Sequence, residues 1–120
     1  MYRLYFNETE GLLETTLCGF WTVETVHAFD KEMARTIAKY APRFPNFPIL
    51  SDSRALSLMS AEASEAWAKA SGESSRRHQC RIAIIVEGAL SKMQARRVVS
   101  LQDKRFFTDF GEARRWLLNG

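Results

Sequence analysis

Cysteine is scarce in this chain. Only Cys18 and Cys80 occur in 120 residues, with no spacing that pairs them with each other or with histidines as metal ligands. A disulfide-stapled mini-protein and a zinc module are therefore excluded. Both thiols are expected to act as small buried hydrophobes. Three prolines and six glycines are too few for a disordered or collagen-like chain. The longest aliphatic run, Ile82 to Val86, is far short of the roughly 20 residues of a membrane span. The first residues, MYRLYFNETEG, lack a basic segment followed by an apolar one, so no secretory leader is expected and the expected location is cytoplasmic. No glycine-rich phosphate loop and no serine-elbow motif occurs. No pairing of base and nucleophile is visible either. The expectation is a protein without catalytic residues, metal or cofactor.

What is present suits one ordinary domain over residues 1–120, with 46% hydrophobic and 26% charged residues. The charge is unevenly spread. Residues 1–75 hold 7 Lys/Arg against 10 Asp/Glu, and residues 76–120 hold 10 against 4. The basic half could serve an acidic partner. No nucleic-acid signature accompanies it and no stacking aromatics are interleaved with it, so nucleic acid is not an expected partner. Solvated helix faces are the simpler explanation.

The periodicity alternates between strand and helix. Tyr2 to Phe6 and Leu12 to Phe20 predict two strands joined through Asn7–Gly11 as a hairpin, with Gly11 free to take positive φ. Thr22 is placed to cap a helix whose stripe is Val26, Phe29, Met33, Ile37 and Tyr40, and Trp21 and Val26 have hydrophobic-staple spacing. Pro42 closes it. A stiff connector follows, in which Phe44 and Phe47 either tuck onto that helix or form a lid or contact patch. Ile49 to Ser51 predicts a short inner strand ending in Asp52-Ser53-Arg54. Ser60 then caps an alanine-rich helix whose small residues let its axis approach the sheet. Residues 72–79, starting at Gly72, stay unassigned. Arg81 to Val86, apolar on both faces, predicts an interior strand of a covered parallel sheet. A basic helix follows, with Lys92 and Arg96 outward and Leu90, Met93, Val98 and Leu101 inward. Arg105 to Thr108 is the last strand. Asp109 opens a final helix that buries Ala113, Trp116 and Leu117. The fold class is α/β, a β-hairpin followed by βα units in the order ββαβαβαβα, with a mostly parallel sheet covered by helices.

Four stretches resemble the STAS domains, the fold of anti-sigma-factor antagonists. They are Gly19-Phe20-Trp21-Thr22, Ile49-Leu50-Ser51-Asp52-Ser53-Arg54, Arg81-Ile82-Ala83-Ile84-Ile85-Val86 and Phe107 through Leu117. The chain looks most like a branch of small stand-alone bacterial STAS-like proteins of unassigned function, related in architecture to the CRAL-TRIO lipid-binding domains. The resemblance implies partner or ligand binding rather than catalysis. Antagonists of the partner-switching type carry an Asp-Ser-Ser/Thr-Gly phosphorylation motif at the start of the helix after the third strand. Here Leu56-Ser57-Leu58-Met59-Ser60-Ala61 stands in that place, without the Asp or the Gly, which speaks against phosphorylation-gated control.

In an open α/β sheet, ligands and partners meet the carboxyl ends of the strands. That rim offers Asp52, Ser53, Arg54, Ser57, Ser60 and Glu87, with Lys92 and Arg96 on the basic helix beside it. The simpler roles there are turn hydrogen bonds for Asp52 and Ser53 and a helix cap for Ser60. His27 reads as a packing or surface histidine. Cys80 lies beside His78 and several arginines, but at the opposite end of the sheet from the rim. The expected function is a non-enzymatic interaction or regulatory domain that binds a protein partner or itself. The alternative is a carrier of a small lipophilic or anionic ligand, which needs a pocket of several hundred Å³.

Overall fold

The computed structural model describes residues 1–57, 59–87 and 104–119, without the side chains of residues 74–77. Five strands form one sheet in the order β1-β2-β3-β4-β5. They are β1 (Tyr2–Asn7), β2 (Leu12–Gly19), β3 (Ile49–Leu56), β4 (Ile82–Ile85) and β5 (Lys104–Phe107). β1 and β2 are antiparallel, and β2, β3, β4 and β5 run parallel. The strand carrying Arg81–Val86 is thus interior and parallel to β3, as its two apolar faces predict. Three helices are described: α1 (Val23–Tyr40), α2 (Ala61–Arg77) and α3 (Phe110–Asn119). The basic helix expected between β4 and β5, with Lys92 and Arg96, lies outside the described residues.

Local signals set the element ends. Thr22 Oγ1 accepts the amide of Thr25 at 3.3 Å and caps α1. Ser60 Oγ accepts the amide of Ala63 at 3.1 Å and caps α2. Asp109 Oδ2 accepts the amide of Glu112 at 2.9 Å and opens α3. Gly11 takes φ +65° in the hairpin turn, where a Cβ would stand 3.2 Å from the Phe44 ring. Any other residue there would meet both backbone strain and a contact.

Three boundaries differ from expectation. β3 runs on to Leu56, so Asp52, Ser53 and Arg54 stand on the strand rather than in a turn after it. The longer β2 keeps pairing with it past an irregularity, through Cys18 with Ala55 and Gly19 with Leu56. β4 stops alongside Asp52. α2 passes through Gly72 and ends at Arg77, because 17 residues of helix outweigh the roughly 1 kcal/mol that one interior glycine costs. The last strand begins at Lys104.

Helices cover both sheet faces, and alternation along the strands assigns each side chain to one of them. α3 covers one face. Its Ala113 and Leu117 pack on Leu12, Leu50, Ala83 and Ile85, with Phe107 and Trp116 alongside. Arg114 pairs with Glu10 of the hairpin turn and ties α3 down. The last turn of α3 has no basic residue of its own, but Arg81 lies over the Trp116 ring at 4.0 Å and Arg105 at 5.9 Å. Both place positive charge near the negative end of the helix.

α1 and α2 cover the other face, and their apolar contacts gather into two clusters. Near the carboxyl ends of the strands, Trp21 meets Phe29 at 5.2 Å and Trp67 at 5.0 Å, and Leu17, Val26 and Ala63 fill the space around them. Near the amino ends, Phe6 stacks on Tyr40 at 4.0 Å and meets Phe44 and Phe47 at 5.0 Å each. Both connector phenylalanines therefore tuck inward, Phe47 to 2% exposure. They pack on the first strand as much as on α1.

Candidate functional site

The rim at the carboxyl ends of the strands collects most of the residues singled out in the sequence. Asp52 and Arg54, two apart on β3, point to the same side. The Arg54 guanidinium donates from Nε to Asp52 Oδ1 at 2.9 Å and from Nη2 to Oδ2 at 2.8 Å. This fork holds the Asp52 carboxyl below the usual carboxylate range. Asp52 in turn holds the guanidinium more firmly protonated, and the charges of Glu87 and Asp109 add to that. Glu87 is exposed just past β4. The amide of Ser57 donates to the Gly19 carbonyl at 2.9 Å and closes the β2–β3 edge. Ser60 is engaged as the α2 cap. Ser53 is half-buried on β3. The Asp52 carboxylate is occupied by Arg54 and shifted away from proton uptake near neutrality. That suits recognition better than acid–base chemistry.

Two aromatic side chains are exposed on this rim: Phe20 at 62%, after β2, and Phe110 at 36%, at the start of α3. Phe20 was part of the stretch that caps α1, and the sequence gave no sign that its ring would face solvent while the neighbouring Trp21 is fully buried.

A second locus lies between the sheet and the pair α1 and α2. A cavity of about 110 Å³ separates the two aromatic clusters. Its position follows from the strand register. Leu13, Ile49, Ile82 and Lys104 form one cross-strand row, and Thr15, Ser51, Ile84 and Phe106 form the next. Thr15 and Ser51 are short, and of the α2 residues bordering the cavity Ala70 and Ser71 are short as well, with Trp67 the large exception. Small residues on both sides leave space that the aromatic clusters keep open. The alanines of α2 therefore do not bring its whole length onto the sheet. Ala63 and Ala66 pack in the first cluster, but Ala70 borders the cavity.

The wall is mostly apolar, with Phe29, Met33, Ile82, Ile84 and Trp67 among its residues. Its polar members are Thr15, Asp30, Ser51, Ser71, His78 and Lys104. His78 is buried, and its Nε2 donates to the Phe47 carbonyl at 3.0 Å. Lys104 is half-buried on the inward row of β5. Burial pushes its ammonium pKa below the ordinary lysine value, partly offset by the neighbouring Cys80. Sequence reading missed Lys104. The available signal was its phase: two residues before Phe106, it shares that residue's face of β5. Among the described residues, no group of three His, Cys, Asp or Glu side chains could hold a metal ion. No helix among them is long and apolar enough to cross a membrane.

No family model matches the sequence, and no curated protein matches it. Solved structures do match over nearly its whole length. One is an uncharacterised protein of the DUF3478 family with a SpoIIAA-like fold from Shewanella loihica PV-4. It aligns with TM-score 0.67 and 21% identity over 98% of this chain and 92% of that one. A second is an anti-sigma factor antagonist from Mycobacterium paratuberculosis, with TM-score 0.64 and 10% identity over 98% and 94%. The fold is STAS-like. A third match is the murine solute carrier 26 family member A9 anion transporter, with TM-score 0.66 and 16% identity. It covers 95% of this chain but only 19% of that one. The same STAS-like architecture thus stands both as a small chain and within a much longer one.

Proposed function

We propose that this STAS-like domain is a non-enzymatic, cytoplasmic interaction or regulatory module that engages a protein partner through the carboxyl rim of its sheet. The single observation behind this reading is the exposure of Phe20 and Phe110 on the same rim as the Asp52–Arg54 ion pair. Apolar anchors next to fixed charges are the composition of a recognition surface. The Mycobacterium neighbour, named as an anti-sigma factor antagonist, supports a protein as the partner. The broken phosphorylation motif removes serine phosphorylation from the proposal, and Ser57 and Ser60 serve it as backbone-pairing and capping residues.

The test is solution mass together with cross-linked capture from cell extract. It compares the wild type with Phe20→Ser, Arg54→Glu and a control, Tyr5→Ser, at an exposed position on β1. A partner or self-complex lost with both rim variants and kept with the control supports the proposal. A strict monomer, or a complex indifferent to the rim, overturns it.

A second reading, a binding site for a small ligand, is favoured by the cavity between sheet and helices. Its 110 Å³ falls well short of the roughly 300–1,000 Å³ typical of pockets for larger ligands, which confines any occupant to a small molecule.

A further inference from the structure

The inward position of Lys104 calls for a physical reason. Its row neighbours across the sheet are Leu13, Ile49 and Ile82, all apolar. A lysine at the end of such a row carries a desolvation cost that methionine or leucine would not. Among the described residues, no hydrogen bond or ion pair to its ammonium is found. Asp30 on α1 is the one carboxylate among the residues bordering the cavity, and it is not without a partner. A costly, half-buried positive charge beside a mostly apolar cavity is the pattern of a site completed by an anion with an apolar body.

We infer that the cavity binds a small apolar monocarboxylic acid, with the Lys104 ammonium as its counter-charge and the Phe29–Trp67 wall as the seat of its hydrocarbon. This rests on the small-ligand reading of the cavity and goes beyond it by fixing the chemical class. Size sets the upper limit. A dry cavity of about 150 Å³ accepts benzene, so a cavity of about 110 Å³ suits a short branched, short linear or single-ring acid. Trp67 and Phe29 stack at 5.7 Å with their rings nearly parallel. They give the wall a flat aromatic surface.

The experiment titrates hexanoate and benzoate, and the neutral isosteres hexanol and benzyl alcohol, into the full chain. Amide chemical shifts, together with the indole N–H shift of Trp67, report binding. The wild type is compared with Lys104→Met, which keeps the stem and removes the charge, and with Ser51→Leu, which fills the cavity. Denaturation curves check that both variants are folded. The expected result is a preference for acid over alcohol of about tenfold or more in the wild type, the size of one charge-assisted hydrogen bond. Lys104→Met abolishes that preference with alcohol binding retained, and Ser51→Leu abolishes both. Equal binding of acid and alcohol by the wild type overturns the role of Lys104 and leaves the small-ligand reading standing. Binding of neither probe, or binding indifferent to Ser51→Leu, overturns both.

Discussion

The two faces of the sheet are built from the same strands and packed to different ends. Under α3, Leu12, Ala83, Ile85 and Ala113 have no exposed surface at all. Across the sheet, Ile82 and Ile84 of the same interior strand are only half-buried, although the two helices described on that side are each longer than α3. Helix length does not decide how tightly a face is sealed. On the α3 side, large residues of the strands meet the alanine of a short helix and interdigitate. On the other side, aromatic rings at both ends of α1 act as spacers, and short side chains face one another between them. One face supplies stability and the other keeps room.

Truncation should separate the faces most sharply. Ile85→Ala, on the sealed face, is expected to cost about 3 kcal/mol, as large-to-small changes in tight cores do. Ile84→Ala, bordering the cavity, should cost about 1 kcal/mol, since part of its surface already lacks neighbours. Urea denaturation of both variants measures the gap, and equal losses would break the comparison.

Enlargement gives the opposite signs. Ala113→Leu should destabilise by about 2 kcal/mol through overpacking. Ala70→Leu, aimed at the cavity, should be neutral or stabilising by up to about 1 kcal/mol. Thermal unfolding of the pair reads this directly. Lys104→Met should likewise raise the unfolding temperature, because it removes a desolvated charge. With the wild type, stability should recover as pH rises through the depressed folded-state pKa of Lys104 toward the ordinary lysine value, a gain the methionine variant lacks.

The smallest effect belongs to the rim. Asp52 has a lowered folded-state pKa. Its contribution is therefore complete above the ordinary carboxylate value of about 3.9 and is lost as pH falls through the folded value. Because the pair is partly exposed, the contribution is under about 1 kcal/mol. Unfolding temperatures of the wild type and Asp52→Asn should differ slightly near neutral pH and converge in strong acid. A difference that persists in acid would mean the ion pair is not its source.

Much of this architecture follows from local residue chemistry. Capping by Thr22, Ser60 and Asp109, the positive φ of Gly11 and the unbroken apolar run Ile82–Ile85 all act within a few residues, so the chain itself fixes helix starts, the hairpin and an interior fourth strand. The stripe of α1 fixes which side it buries. Long-range pairing decided the rest. β3 extends through Arg54 because β2 is there to pair with it, which turns Asp52 and Arg54 from turn residues into a clasp on one strand side. The cavity exists because Thr15, Ser51, Ala70 and Ser71, far apart in the chain, face one another across a gap. Lys104 becomes an inward charge only through its register with Ile82. Voids and buried charges are properties of what lies opposite a residue, and that opposition is set when distant segments pack.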